Sequence, residues 1–260
     1  MSAWTVGRAA AELLAAERDR RDRAPLTGEW PDLDLAAAYR VQDEILRRKC
    51  EAGERVSGVK LGLTSRAKQR RMGVDAPLTA WLTDAMALPE GAPVPLGELI
   101  HPRVEPEIVF VLGDRLEGPG MTAGRALAAV TSVHAGLEVI DSRYTDFRFT
   151  LPDVVADNAS SGRYTVGAPA RRPRELDLAA EECLLEVDGE VADRATGAAV
   201  LGHPAEALAL AVNVLAERGR ALEPGWIVLT GGMTDAVPLA PGTRVTARFA
   251  GLGTVTVRGS

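Results

Sequence analysis

The stretch HPRVEPEIVFVLG (residues 101–113) constrains this chain most, because two carboxylates interrupt an otherwise apolar strand. Side chains two positions apart on a strand point to the same side of the sheet, so Glu105 and Glu107 project together, roughly 6.5–7 Å apart at the backbone. Two like charges buried at that spacing are costly unless a positive group lies with them. The fold must therefore bring a cation to these acids or expose them on an edge strand, where Pro106 would also be tolerated.

A third acid completes a candidate metal site. The stretch HAGLEVIDSRY (134–144) is typical of another strand, with Glu138 among its apolar residues. Carboxylate oxygens are suitable ligands for Mg²⁺ and Mn²⁺. Three carboxylates would leave coordination positions open for water or a chelating substrate, as in a catalytic site. The spacing alone leaves the solvent-exposed edge strand as an open alternative.

Apolar periodicity predicts four longer helices. They cover residues 3–23, 35–51, a stretch from near Thr122 through AGRALAAVTSV (123–133), and Pro204 to Gly219. A strand-like segment, RVSGVKLGLTS, precedes a short predicted helix from Ser65 to about Met72. We expect a helical N-terminal part at residues 1–70 and a mixed-β body at residues 71–260, which together can count as one domain.

Strand-like runs dominate the rest of the chain. They are predicted at 104–112, 135–141, 163–167, 183–187, 226–230, 243–249 and 253–258. Asp188-Gly189 is typical of a tight hairpin turn. Because the strands outnumber the helices and do not alternate with them, we expect an α+β fold with a mixed, mostly antiparallel β body.

Composition argues against several classes of protein. The formal net charge is −6 and no basic stripe with interleaved aromatic residues occurs, so nucleic-acid binding has little support. We expect no apolar run long enough to span a bilayer, and no secretory signal, since the N-terminus lacks an apolar core. Cys50 and Cys183 fit two unpaired thiols in the cytoplasm. We expect the three histidines to cap or pack rather than bind a metal: His101, His134 and His203.

One lysine has an unusual setting. Only three of the 30 basic residues are lysines. Lys49 and Lys68 lie in charged helical stretches, whereas Lys60 lies in SGVKLGLTS, among apolar residues and glycines. A lysine there can donate a proton or hold an anionic substrate. A lysine that extends from a strand into solvent is an equal alternative.

Two further stretches are candidates for anion binding. VVADNASSGRY (154–164) offers backbone N–H groups and hydroxyls, although an ordinary Asx or serine turn has the same composition. LTGGMTD (229–235) follows an apolar strand, and its glycines, Gly231 and Gly232, would let the backbone approach a carboxylate. It lacks the GxGxxG or lysine of a phosphate loop. No Ser/His/Asp triad or cysteine nucleophile motif is evident.

Four stretches carry a resemblance to a known family: GVKLGLTSRAKQRRMGVDAPLTAWLTDAM, HPRVEPEIVFVLG, LEVIDSRYTDFRFTLPDVVADNASSGRY and WIVLTGGMTDAVPLAPGTRVTARFAGLGTVTV. Together they resemble the 2-oxopent-4-enoate hydratase and 4-oxalocrotonate decarboxylase family, part of the fumarylacetoacetate hydrolase superfamily. The resemblance runs from the second helix to the C-terminus. It implies a mixed β-sandwich roll with a smaller helical N-terminal part.

The resemblance also implies a site. A divalent cation, Mg²⁺ or Mn²⁺, would be held by Glu105, Glu107 and Glu138, and the positions of the family's active-site lysine and serine match Lys60 and Ser160. The substrate would be a small 2-oxo acid. Ser160, the polar stretch and the glycine turn would bind its carboxylate oxygens. The expected substrate-binding residues also include Leu78, Asp157, Gly231 and Gly232. Arg143 and Arg163 are candidates for a remote carboxylate, and surface ion pairs are the alternative for both arginines.

The hydratase and decarboxylase branches differ near residue 78. Hydratases of this type usually carry an acid shortly after GVD, whereas this chain reads GVDAPLTAWL and has Leu78 there. Decarboxylases have an apolar residue at that position, although LTAW does not match their pattern cleanly. The resemblance therefore favours decarboxylation of 2-oxo-3-hexenedioate. The alternatives are hydration of 2-hydroxypenta-2,4-dienoate, C–C hydrolysis of an acylpyruvate and a non-catalytic scaffold. A homo-oligomer or a complex with a sister hydratase or decarboxylase is the partner that the resemblance implies.

Overall fold

A computed structural model of the chain describes residues 4–65, 69–70 and 77–260. Most of the predicted helix from Ser65 to Met72, including Lys68, lies outside these residues. Six α-helices are present in the described part of the chain: α1 (Val6–Asp19), α2 (Leu26–Glu29), α3 (Leu35–Glu51), α4 (Ala123–Ala128), α5 (Leu151–Ala156) and α6 (Pro204–Glu217).

The two long N-terminal helices begin at residues that cap them. Asp34 precedes α3, and its carboxylate accepts the N–H of Ala37 at 2.6 Å, which confirms the predicted helix at 35–51. Thr5 caps α1 in the same way. That helix is shorter than the predicted 3–23, because Arg20 adopts a left-handed conformation, with φ of 52°, and ends it.

Twelve strands make up the β body in the described residues. They are β1 (Val56–Gly62), β2 (Leu78–Thr83), β3 (Ala87–Leu88), β4 (Arg103–Leu112), β5 (Val130–Ile140), β6 (Ser161–Val166), β7 (Glu182–Val187), β8 (Glu190–Thr196), β9 (Ile227–Leu229), β10 (Val237–Pro238), β11 (Arg244–Phe249) and β12 (Gly253–Arg258). The large sheet has the order β2-β1-β9-β4-β5-β6-β3, with β10 beside β4, and the small sheet has the order β12-β11-β7-β8.

Strand pairing is mostly antiparallel, as predicted. Only β1 with β9 and β3 with β6 run parallel among the strand pairs described. The hairpin between β7 and β8 turns at Asp188 and Gly189, whose φ values of 53° and 95° fit a two-residue hairpin turn. The α+β class with a mixed β body is therefore confirmed.

One predicted helix is wrong in its second half. The stretch 123–133 is helical only as far as Ala128, and β5 starts at Val130. Two physical reasons favour the strand. Val130, Thr131 and Val133 are β-branched. The long strand β4 also pairs with this segment, and its Leu112 lies opposite Val130.

Two large hydrophobic cores and a small third cluster hold the described elements together. The main core includes apolar residues of both sheets and of α6. The second core joins the N-terminal helices to β2 and α5 through Leu78, Ala80 and Val155. The buried amide of Gln42 in α3 strengthens this junction, because it donates to the carbonyls of Thr79 and Val155 at 3.0 and 3.1 Å. The division of the chain at residues 70 and 71 stays a prediction.

The stretch Gly197–Glu217 corrects the expectation that no apolar run is long enough to span a bilayer. It is long and apolar enough, by length and composition, to cross a membrane. In the fold it forms a 3-10 turn followed by α6, and residues such as Leu208 and Val212 are buried in the main core. Core helices of globular proteins have the same composition.

Candidate active site

Three acidic side chains converge in the large sheet. Glu105 on β4 faces Glu138 on β5 directly, and Glu107 lies two residues further along β4. One oxygen from each carboxylate lies within 4.8 Å of the others. Their exposed fractions are only 8%, 0% and 1% for Glu105, Glu107 and Glu138, so the alternative of solvent-facing acids is wrong.

Pro106 fits within this interior strand for a geometric reason. β4 pairs with β9 at residues 109–111 and with β10 at 103–104, so a gap lies between the two pairings. The carbonyl of Pro106 accepts the N–H of Met233 from the loop that crosses this gap. In an antiparallel strand the N–H and C=O of one residue point the same way, so proline costs no hydrogen bond to β5.

A buried lysine pairs with one of the three acids. Nζ of Lys60, on β1, lies 2.9 Å from Oε1 and 3.1 Å from Oε2 of Glu138, and the lysine is itself buried. This ion pair involves one of the three clustered carboxylates. Burial raises the pKa of Glu107 well above its usual value, and Glu138 and Glu105 raise it further. Burial also raises the pKa of Glu138, although Lys60 opposes that rise.

The cluster has the features of a divalent-cation site. Oε1 of Glu107 and Oε1 of Glu138 are buried and have no hydrogen-bond partner among the residues that the structure describes. The Lys60 hydrogen bond goes to Oε2 of Glu138, so the short Nζ–Oε1 contact is an ion-pair contact without hydrogen-bond geometry. Three converging carboxylates are a ligand set that hard divalent cations prefer. The residues present therefore fit Mg²⁺ or Mn²⁺.

The glycine turn packs directly on these carboxylates. The N–H of Gly231 donates to Oε2 of Glu107 at 2.6 Å, so it serves the protein's own acid rather than the expected substrate carboxylate. Its φ is +109°, and a Cβ there would lie 2.0 Å from Oγ1 of Thr64. A Cβ on Gly232 would lie 2.0 Å from Oε2 of Glu105. The backbone conformation at Gly231 therefore favours glycine, and a side chain at Gly232 would displace the Glu105 carboxylate.

A cavity of about 430 Å³ opens beside the cluster. Lys60, Glu105 and Ser160 line it, together with Leu78 on β2 and a mostly apolar wall: Leu63, Ile140, Phe147, Phe149, Val154 and Ala159. Leu78 packs so closely on Gly62 that a Cβ at Gly62 would lie 2.8 Å from its Cδ1. The volume is typical of a pocket for a small molecule.

A left-handed turn positions Ser160. Asn158, Ala159 and Ser160 have φ values of 47°, 50° and 56°, a run of conformations that non-glycine residues rarely adopt. The amide of Asn158 anchors the turn to β2, because it accepts the N–H of Trp81 and donates to the carbonyl of Trp81, both at 2.9 Å. The sequence indicated a polar stretch here but no role for Asn158; asparagine's tolerance of the left-handed region was the available signal.

Arg143 and Asp157 serve this turn and do not line the cavity. The buried guanidinium of Arg143 donates to the carboxylate of Asp157, to its carbonyl at 2.5 Å and to the carbonyl of Ser161 at 3.0 Å. Asp157 also accepts from Oγ of Ser160 at 3.3 Å. Burial raises the pKa of Asp157 to about 6, against the opposing effect of Arg143. Arg163 is occupied by Glu98 at 2.7 Å.

The histidines and cysteines have the expected structural settings. His203 caps α6, because its Nδ1 accepts the N–H of Ala205 at 3.0 Å. The ring of His134 bonds within the sheet, and that of His101 packs on Phe147. In the part of the chain that the structure describes, the cluster of possible metal ligands holds glutamates alone. Cys50 is exposed and Cys183 buried, and both are free thiols.

Comparison with known proteins decides the family. The model of the fumarylacetoacetate (FAA) hydrolase C-terminal family matches residues 55–258. The chain belongs to the fumarylacetoacetate hydrolase family. This confirms the resemblance and the fold that it implied.

Relatives within this family carry the names of both expected branches. A 4-oxalocrotonate decarboxylase of Pseudomonas sp. (strain CF600) is 47% identical over 243 residues, 94% of this chain and 92% of that protein. A 2-hydroxyhexa-2,4-dienoate hydratase of Comamonas testosteroni is 39% identical over 248 residues, 95% of this chain and 94% of that protein.

A solved structure of the family superposes over nearly the whole chain. It is a 4-oxalocrotonate decarboxylase from Pseudomonas putida G7 complexed with magnesium and adipate. The TM-score is 0.96 at 43% identity, covering 98% of this chain and 97% of that chain. The N-terminal helices and the β body are therefore arranged as in that protein.

Proposed function

We propose that this protein is a lyase that decarboxylates 2-oxo-3-hexenedioate (4-oxalocrotonate) or a similar unsaturated 2-oxo diacid to a 2-hydroxydienoate, with a divalent cation as cofactor. One observation carries the proposal: a buried lysine and Glu105, one of three clustered buried carboxylates, line a small-molecule cavity with a mostly apolar wall. The decarboxylase relatives and the magnesium in the superposed structure support it.

Glu105, Glu107 and Glu138 would hold Mg²⁺ or Mn²⁺. When bound, the cation supplies Lewis acidity that withdraws electron density from the carbonyl of a 2-oxo acid. The glycine turn supports the ligands, since the Gly231 N–H orients Glu107 and leaves its other oxygen available.

Lys60 is the proposed proton donor. Loss of CO₂ breaks the C5–C6 bond of 2-oxo-3-hexenedioate, and the electron pair moves through the conjugated chain to the C2 oxygen. A proton delivered to that oxygen gives the neutral enol. Lys60 lines the cavity as an ammonium beside Glu138, which suits it to balance the developing negative charge and to deliver the proton. The hydroxyl of Ser160, at the cavity wall, would bind a substrate oxygen.

Leu78 favours decarboxylation over hydration. Adding water to a dienoate needs a group that manages the proton of that water. The cavity wall has a buried leucine where hydratases of this type usually have an acid. Hydration stays the second candidate function because the Comamonas testosteroni hydratase is 39% identical to this chain.

Turnover assays separate the two functions. The protein is incubated with Mg²⁺ and either 2-oxo-3-hexenedioate or 2-hydroxypenta-2,4-dienoate, and CO₂ release and ultraviolet absorbance are followed. We expect CO₂ release from the first substrate and little loss of the second. Consumption of the dienoate without CO₂ release from the diacid would establish the hydratase instead. Inactivity on both, with Mg²⁺ bound, would point to a different 2-oxo acid, such as an acylpyruvate.

The cellular setting completes the proposal. We place the enzyme in the cytoplasm, in aromatic-compound catabolism, and the two free cysteines support a reducing compartment. Its product would be the substrate of a hydratase, so we also propose association with a sister hydratase or with further copies of this chain. Size-exclusion chromatography, alone and with such a hydratase, tests this association.

A further inference from the structure

Arg103 occupies a special place at the rim of the cavity. It begins β4 two residues before Glu105, so its side chain starts from the same side of the sheet as the carboxylate cluster. Lys60 and Arg103 are the two cationic side chains among the described residues that line the cavity, and Glu105 and Asp235 are the acidic ones. The ammonium of Lys60 is paired with Glu138. Arg103 forms no ion pair with any carboxylate in the described residues.

The guanidinium of Arg103 is held by stacking instead. Its Cζ lies 4.8 Å from the ring centroid of Phe147, which lines the same cavity. The ring of His101 packs on Phe147 as well, with centroids 4.8 Å apart. Stacking fixes the plane of a guanidinium and leaves its N–H groups available for an anion.

The backbone around Arg103 is fixed from two sides. On the sheet, Arg103 pairs with Ile140 of β5 and with Pro238 of β10. Just before β4, the carboxylate of Asp141 accepts the N–H groups of Ile100 and His101 at 3.0 and 2.8 Å. The arginine therefore extends from a rigid base into the cavity.

We propose that Arg103 binds the second carboxylate of a diacid substrate, at the opposite end from the 2-oxo acid group held near Lys60 and the glutamates. The assignment rests on the proposed function and names the residue that selects diacids over monoacids. The rival arginines are engaged elsewhere, since Arg143 is bound to Asp157 and Arg163 to Glu98.

The kinetic signature follows from the chemistry at that carboxylate. The group bound by Arg103 loses its negative charge as CO₂ forms, so an arginine contact is stronger in the bound substrate than in the transition state. Removing it should raise KM by about 10- to 100-fold, the range for charge-assisted hydrogen bonds. The value of kcat should stay level or rise, because the contact stabilises the transition state no more than it stabilises the bound substrate.

Ligand binding tests the assignment without turnover. Adipate and hexanoate share a six-carbon chain and differ in one carboxylate. Calorimetry with saturating Mg²⁺ would measure both ligands against the unaltered protein, Arg103→Gln and the matched control Arg163→Gln. We expect the unaltered protein and Arg163→Gln to prefer adipate by about 10- to 100-fold. Arg103→Gln should lose that preference while its affinity for hexanoate stays unchanged.

The outcomes separate this inference from the proposed function. Retained preference for adipate in Arg103→Gln, or its loss in Arg163→Gln, would overturn the role of Arg103 and leave the decarboxylase proposal intact. Equal binding of the two ligands by the unaltered protein would likewise show that no second carboxylate site exists here. Binding of neither ligand, together with no CO₂ release from the diacid, would overturn the proposed function and this inference with it. Because Arg103 is exposed, Arg103→Gln should fold normally, and thermal unfolding checks that directly.

Discussion

Nζ of Lys60 lies 2.9 Å from Oε1 of Glu138, although the two residues lie on strands separated by β9 and β4 in the sheet. Two further buried acids, Glu105 and Glu107, lie beside this ion pair. Desolvation makes such a group of charges costly in the absence of a further cation. The cluster is therefore built for a ligand of opposite charge rather than for the stability of the free protein.

Glu107→Gln should abolish Mg²⁺ binding and decarboxylation while the fold survives. The amide keeps an oxygen for the Gly231 N–H but removes one of the charges that hold the cation. We expect a loss of about 100-fold or more in metal affinity by calorimetry, with an unfolding temperature of the metal-free protein that is unchanged or higher. The matched control, Glu186→Gln on the small sheet, should bind metal normally. Metal binding retained in Glu107→Gln would refute the site.

Stabilisation by Mg²⁺ should grow as pH rises. Burial holds the pKa values of Glu107 and Glu138 above their usual value of 4.5 in the folded protein. Their contribution to the stability of the metal-free protein is therefore present below 4.5 and lost as pH rises through the folded-state pKa values. The cation binds the ionised acids and reverses that loss. Thermal unfolding from about pH 5 to pH 8, with and without Mg²⁺, measures the difference, and a difference that stays flat would contradict the prediction.

Gly232→Ala should weaken metal binding through a steric clash. The new Cβ would lie 2.0 Å from Oε2 of Glu105 and would displace that carboxylate. We expect a loss of about 10- to 100-fold in Mg²⁺ affinity by calorimetry. Gly97→Ala is the control, because a Cβ there meets nothing within 4 Å and φ is not positive. Equal affinities in the two variants would show that Glu105 can move without cost.

Asn158→Ala should reduce both stability and turnover. It leaves the buried N–H and carbonyl of Trp81 without their partners, at a cost of about 1–3 kcal/mol, and it releases the turn that carries Ser160. We expect kcat/KM to fall by about 10- to 100-fold. Asn213→Ala is the matched control, since Asn213 makes the same pair of bonds, both 2.9 Å, to Met121 away from the cavity. It should lose stability but not activity, and an equal loss of activity in both variants would argue against the role of the turn.

Leu78→Asp should introduce hydration of 2-hydroxypenta-2,4-dienoate. The new carboxyl group would lie in the cavity wall, where it can manage the proton of the added water. We expect a measurable Mg²⁺-dependent loss of dienoate absorbance, with reduced CO₂ release from the diacid. Leu78→Asn matches the shape without the acid and should show no gain. A similar gain in both variants would indicate that polarity, rather than proton transfer, is what matters at this position.

Local pattern predicted much of this fold. The bounds of α3, the hairpin at Asp188-Gly189 and the run of β4 all follow from caps, turn residues and apolar periodicity, which depend on neighbours in the chain. The same period of two placed Glu105 and Glu107 on one side of the sheet. The end of α4 was missed because an alanine-rich helix runs directly into β-branched residues, and pairing with β4 decides where the strand begins.

The sequence by itself determined that acids interrupt an apolar strand and made Glu138 and Lys60 candidates, and the family resemblance joined these residues in one site. Only the tertiary structure decided how those groups are used. In the fold, the Lys60 ammonium pairs with Glu138, and Arg143 donates to the turn that carries Ser160. The Gly231 N–H donates to Glu107, and Arg103 lies at the cavity rim. The reason is physical: a side chain's direction follows from its own strand, whereas its partners depend on which distant strands lie side by side, and local periodicity carries no information about that order.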